Sequence, residues 1–200
     1  MIRLSRFQKA LWVAAILASV GFVLVNTRPW VSESSSIAAT SEFSPVFSLQ
    51  DSSDRPRTNE EFRGRWLLVF FGFTNCPDVC PTTLSEVAQV LEDLGPQAAN
   101  VQPIFISIDP ERDRALGIDE YTQAFHPQIL GLAGSPEATQ AAAASFRIYY
   151  SREDDQNAPD GYTMSHSPGL FLVAPDGQWL RQFAYGTPST EILADLQERF

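Results

Sequence analysis

Basic side chains are scarce in this chain. Fourteen Lys and Arg stand against 24 Asp and Glu in 200 residues, a formal charge of −10. The positive footprint that nucleic-acid binding needs is therefore missing, and no nucleic-acid partner is expected. Cysteine and histidine are rarer still, at two each, which confines soft-metal or thiol chemistry to a handful of positions. No internal repeat is visible, which argues against a solenoid or propeller. What is present suits a folded body: 44% hydrophobic and 19% charged residues can bury a real core. The length fits one ordinary domain plus an extension.

The charge is unevenly spread. Arg3, Arg6, Lys9 and Arg28 precede the first acid, Glu33, so residues 29–200 carry ten basic groups against all 24 acids, a formal −14. Between the early basic residues lies Ala10–Val25, which is free of charge and has Ser19 as its one polar side chain. That run is near the length needed to span a bilayer. No small-residue cleavage pattern follows it directly, and no cysteine nearby offers a lipid attachment point. Residues 1–9 are thus expected to be a basic cytoplasmic tip and 10–28 a single-pass anchor in the inner (cytoplasmic) membrane. Residues 29–44 read as a polar linker, and residues 45–200 as a domain on the extracytoplasmic, periplasmic side.

Within the body, strand and helix signals alternate. Residues 47–49 and 57–58 suggest a small N-terminal hairpin. Trp66–Phe73 and Val101–Ile108 are apolar runs too short for helices, so they read as strands buried on both faces. Leu84, Val87, Leu91 and Leu94 mark a helix over 81–94, and helices are also expected over 116–125, 135–146 and 189–200. Short strands fit 129–133 and 147–151, followed by a polar loop over 152–160. Leu170–Val173 and Trp179–Phe183 flank a Pro-Asp-Gly turn, the mark of a hairpin. The fold class is α/β, a mixed central sheet with helices on both faces.

Cys76 and Cys80 sit where the first buried strand gives way to a helix. Strand ends in open α/β sheets collect ligands, and helix N-termini stabilise thiolates. Four residues of helical spacing place the sulfurs on one side, with Cα atoms about 6 Å apart, a separation that a disulfide can bridge. A structural disulfide closing so short a loop would remove little chain entropy, so a reactive or metal-binding pair is the sharper reading. His126, before Pro127, reads as a surface or capping residue. His166 lies just before the strand 170–173. In a thioredoxin-type sheet that strand neighbours the one leading to the cysteines. Two thiolates and one imidazole suit Cu(I), with Zn(II) as competitor. Asp78, between the cysteines, and the acidic run Glu153-Asp154-Asp155 with Asp160 read as solvated surface; a role in steering a partner is the alternative.

Four blocks carry a family resemblance. They are Phe70-Phe71-Gly72-Phe73-Thr74-Asn75-Cys76-Pro77-Asp78-Val79-Cys80-Pro81; Phe105-Ile106-Ser107-Ile108-Asp109-Pro110-Glu111-Arg112-Asp113; Phe125-His126-Pro127; and Gly161-Tyr162 with His166-Ser167 and Leu172–Gly177. In this order they resemble the Sco/SenC family, copper proteins that help to assemble cytochrome c oxidase, over about three quarters of the chain. The resemblance implies a thioredoxin-like fold, a membrane tether and copper held by Cys76, Cys80 and His166. It also implies a copper-receiving oxidase subunit and a thioredoxin-like reductant as partners. A thiol-disulfide oxidoreductase using Cys76 and Cys80 as its redox pair is the rival role; a peroxiredoxin-like peroxidase lacks a recognisable Thr/Arg pair around one cysteine. Three positions depart from the family pattern. Asn75 stands where many members place histidine, Ser165 where an aspartate commonly precedes the ligand histidine, and Pro168 two residues after it. A cis Ser167–Pro168 bond is expected.

Overall fold

The computed structural model describes residues 43–200. The basic tip, the expected anchor and almost all of the linker lie outside the described residues. Among the described residues, no helix is long and apolar enough to cross a membrane.

Three parallel strands form around the two apolar runs. They are β3 (Trp66–Gly72), β4 (Val101–Ser107) and β5 (Leu130–Leu132), with β3 beside β4 and β4 beside β5. A small antiparallel hairpin, β1 (Ser48–Gln50) with β2 (Pro56–Thr58), precedes them as expected. On the other side of β3 runs β8 (Leu170–Val173), antiparallel, and then β9 (Trp179–Phe183), which completes a mixed five-stranded sheet in the order β5-β4-β3-β8-β9. Parallel neighbours need long crossovers. α1 (Val79–Leu94) supplies the first of them. α2 (Pro110–Leu116) and α3 (Ile118–Gln123) supply the second. α4 (Pro136–Ser145) starts at Ser135, whose side chain accepts from the Ala138 amide, and α5 (Ser189–Gln197) closes the chain.

Alternation along β3 sorts its side chains between two layers. Phe70 meets Phe105 and the Cys80 end of α1 on one face, where Tyr121 of α3 also packs on Phe105. Phe71 and Phe171 meet Phe146, just past α4, on the other. Helical segments thus cover both faces. Phe70, Phe71 and Phe105 are each about 1% exposed or less, and burial of a side chain of that kind contributes roughly 1.5–3 kcal/mol.

Three local expectations are corrected. The helix expected over 116–125 is α3 (Ile118–Gln123), and a second helix that was not expected, α2 (Pro110–Leu116), precedes it. Pro110 at the first helical position starts α2 ahead of the segment that hydrophobic spacing marked, and Gly117 (φ +82°) separates it from α3, a conformation that L side chains resist. The short strand expected over 147–151 is β6 (Tyr150–Asp154), which runs into the first residues of the expected loop. Past that loop it pairs antiparallel with a strand that was not expected, β7 (Tyr162–His166), outside the main sheet. Its polar composition hid it, because it packs one side only. Finally, no cis peptide bond occurs among the described residues. The Ser167 amide donates to the Tyr149 carbonyl and Gln182 Nε2 donates to the Pro168 carbonyl, so the entry to β8 is held with a trans bond.

Gly72 ends β3 against α1. A Cβ there would stand 2.7 Å from Cys80 Sγ, 2.8 Å from a Phe105 ring carbon and 2.9 Å from a Phe70 ring carbon. Gly72→Ala is therefore expected to destabilise the domain by about 1–3 kcal/mol, the usual cost of overpacking. It should also displace the Cys80 sulfur. Denaturant melts checked against thiol accessibility would reveal both effects.

Candidate functional site

The site begins where β3 runs out. After Gly72 the chain passes through Phe73 and Thr74, makes a turn closed by the Cys76 amide donating to the Phe73 carbonyl (3.2 Å), and enters α1 at Val79. Cys76 is half-buried at the rim; Cys80, one turn on, is fully buried beneath it. Both are free thiols. The Cys80 amide donates to Cys76 Sγ at 3.3 Å, so the helix start points hydrogen at sulfur, as helix N-termini do for anions.

This geometry divides the pair. The Cys80 thiol donating to Cys76 is the main influence that lowers Cys76, to about 6, and the amides of Asp78, Cys80 and Val79 add to it against partial burial. Cys80 moves the opposite way, pushed far up by its bond to Cys76, by burial and by charge on Cys76. The two share one proton: Cys76 holds the negative charge and Cys80 keeps the hydrogen.

A buried carboxylate fixes the turn. Asp113, in α2 and 0% exposed, accepts from the Thr74 amide (3.0 Å) and hydroxyl (2.8 Å) through one oxygen, and from the Ser107 hydroxyl (2.6 Å) through the other. Burial pushes its acidity down, partly offset by those three donors. Nearby, the hydroxyl of Tyr121 is buried and has no hydrogen-bond partner among the described residues. Burial raises its pKa, and the Cys80, Cys76 and Asp113 charges add to that.

His166 arrives from the other half of the chain. β8 runs antiparallel to β3 with Phe70 opposite Leu170, so the segment preceding β8 lands beside the end of β3. His166 lies just before β8, as expected, and is the last residue of β7; its ring stands edge-on to Phe70 (6.1 Å) and Phe73 (6.4 Å). Its Nδ1 lies 3.1 Å from the Ser167 carbonyl oxygen. A carbonyl only accepts, so Nδ1 carries the proton and Nε2 the lone pair. Burial lowers its pKa and favours this neutral form. His166, Cys76, Met164, Phe73 and Pro168 line one cleft of about 280 Å³. Among the described residues, no three His, Cys, Asp or Glu side chains are already spaced to hold one ion.

The β6–β7 ribbon is fastened to the core at its base. The Tyr162 hydroxyl donates to Asp109 (3.0 Å), Arg112 pairs with Asp109 (2.7 Å), and the Tyr162 ring lies between the guanidiniums of Arg152 (3.5 Å) and Arg112 (4.2 Å). Of the positions singled out in the sequence, Asp78 is exposed and accepts from the Tyr185 hydroxyl (3.2 Å). His126 accepts the Gln128 amide on Nδ1 (3.1 Å), far from the cleft in sequence and absent from its walls. Ser165 is exposed and pairs with Ser151 across the ribbon, and the Ser167 carbonyl meets the imidazole in its place. Sequence reasoning gave no role to Asp113, Arg112, Tyr121 or Met164. The Asp109-Pro110 helix start, which returns Asp113 over the end of β4 one turn later, was the available signal for the first two.

A mixed sheet with a dithiol at the β3–α1 junction and a histidine before β8 defines a thioredoxin-like protein. The SCO1/SenC family profile matches residues 35–200, and the chain belongs to that family. It is 39% identical over 156 residues to the mitochondrial SCO2 homolog of Mus musculus, covering 76% of this chain and 60% of that relative's own length. Two solved relatives were determined with copper bound. The ScoI of Bradyrhizobium japonicum has 35% identity and TM-score 0.71, over 79% of this chain and 99% of that one. The ScoI of Arabidopsis thaliana has 31% identity and TM-score 0.71, over 78% and 96%.

Alkylation of the reduced protein with iodoacetamide tests the shared proton. Cys76 should react with a midpoint near pH 6, against about 8.5 for an ordinary thiol, while Cys80 stays unreactive. Cys80→Ala removes the donor, so the Cys76 midpoint should move up towards the ordinary value.

Proposed function

We propose that this chain is a membrane-anchored, extracytoplasmic copper chaperone that delivers the metal for assembly of the copper site of cytochrome c oxidase. Cys76, Cys80 and His166 hold the copper. The observation that carries this reading is the meeting of unlike donors at one cleft: a thiolate-forming Cys76 with Cys80 beneath it, opposite a neutral imidazole whose Nε2 is free. Two soft sulfurs and one nitrogen suit copper, above all Cu(I). The copper-bound relatives support the choice of metal, and the uncharged run at Ala10–Val25 supports the tether.

The residues divide the work. Cys76 is ionised near neutrality and meets the metal first; binding then displaces the Cys80 proton, so loading releases acid. Asp113 keeps the turn in place through Thr74. A three-ligand site at a cleft wall leaves room for a recipient's ligand to enter before these let go, so transfer proceeds by ligand exchange. Oxidation of the pair to a disulfide would close the site, and a thioredoxin-like reductant reopens it.

The asymmetry of the thiols also supports a second reading, a thiol-disulfide reductase acting on cysteines of the oxidase subunit. The Cys76 thiolate attacks one sulfur of the recipient's disulfide and expels the other as a thiolate. Cys80, giving up its proton, then attacks Cys76 and frees the second thiolate. The recipient gains two electrons and this pair becomes the disulfide.

His166→Ala separates the two. Under the chaperone reading, anaerobic copper titration of the variant should show affinity reduced by more than the roughly 10–100-fold that outer partners of a metal site contribute. Reduction of a disulfide peptide should continue at near-normal rate. Unchanged tight copper binding in that variant would overturn the three-donor site and leave the reductase role.

A further inference from the structure

The cleft holds a third kind of soft atom. Along β7 the side chains of Tyr162, Met164 and His166 fall on one side of the strand, as the period of two requires. Tyr162 is buried, Met164 and His166 are half-buried, and Ser165 between the last two is exposed. Met164 packs against the edge of the core and lines the same cleft as Cys76 and His166. Same-side neighbours on a strand have Cα atoms roughly 7 Å apart, close enough for a thioether and an imidazole to converge on one ion. The anchor at Tyr162 holds the base of this strand on Asp109 and Arg112, so the pair is presented together.

We propose that Met164 is an additional donor of this site and that its sulfur selects cuprous over cupric ion. The inference rests on the copper reading of the cleft and deepens it. A thioether is neutral, soft and carries no proton to displace; it favours Cu(I) and offers little to Cu(II), which prefers nitrogen and oxygen. Its three rotatable bonds let the sulfur reach out without moving the strand. The deeper sulfur, Cys80, is fully buried and off the cleft wall. Cys76 and Met164 therefore form the sulfur pair that an ion in the cleft encounters first, with His166 alongside.

The test uses the full-length reduced protein under anaerobic conditions, with Cu(I) supplied in competition with bicinchoninate and Cu(II) titrated separately. Met164→Leu keeps the volume and removes the sulfur. It should weaken Cu(I) binding at least roughly tenfold, the lower end of what supporting groups at metal sites contribute, and leave Cu(II) affinity within twofold. X-ray absorption of the Cu(I)-loaded wild type gives a readout that needs no variant: three sulfur neighbours are expected, one at thioether distance, against two in Met164→Leu. Unchanged Cu(I) affinity with two sulfurs in the wild type overturns the role of Met164 while leaving the two-cysteine, one-histidine site intact. If Cys76→Ser also binds Cu(I) as the wild type does, the copper reading of the cleft itself falls, and this inference with it.

Discussion

One buried carboxylate holds the working end of this molecule together. Asp113 sits where β4 has ended and α2 has begun, and it binds the hydroxyl at the end of β4 together with the amide and hydroxyl of Thr74 just past the end of β3. A carboxylate without partners at that depth would be costly; with three donors it ties two adjacent parallel strands and the helix between β4 and β5 to a single point. The turn that presents Cys76 and the first turn of α1 that buries Cys80 both hang from this contact. Gly72 completes the arrangement by leaving a space the size of a side chain for the Cys80 sulfur.

Given that turn, the chemistry follows from depth. Two thiols of the same residue type, four positions apart, differ because one lies at a rim facing a helix N-terminus and the other lies under it among aromatic rings. The first ionises easily and the second resists. Such a pair suits a soft ion as well as attack on a disulfide, and the fold does not choose between the two. The imidazole on the same cleft is the feature on which the copper reading leans. Its Nδ1 proton goes to the Ser167 carbonyl, which leaves the lone pair on Nε2 and gives the ring a partner where Ser165 offers no acid.

Much of this was legible in the sequence. The two uninterrupted apolar runs announced β3 and β4, the leucine spacing announced α1, and the Pro-Asp-Gly turn announced β8 and β9; each pattern is local, and each element formed within a few residues of its expected bounds. The cysteines stood out because nothing else in the chain resembles them. The ribbon β6–β7 did not stand out. Its strands are polar on the outside and packed on one side only, so they lack the period or the apolar run that marks a strand, and the strand that carries Met164 and His166 went unmarked. Helix α2 was hidden for a related reason: it buries Pro110, Arg112 and Asp113 rather than an apolar stripe, so it carries no hydrophobic period, and Gly117, where the backbone turns left-handed, separates it from α3.

The sequence alone singled out the candidate donors, two sulfurs and a nitrogen in a chain with few others, because residue type and rarity survive any folding. It also determined the order of the main-sheet strands and of the helices that follow β3 and β5, since their periodicities are written locally. Tertiary structure decided everything that depends on distance across the chain. It set which cysteine is deep, because depth comes from α1 packing on β3. It brought His166 to the cleft, because β8 pairs antiparallel with β3 and starts where β3 ends. And it placed Asp113 and Met164 beside the thiols, through contacts between segments that no local pattern connects.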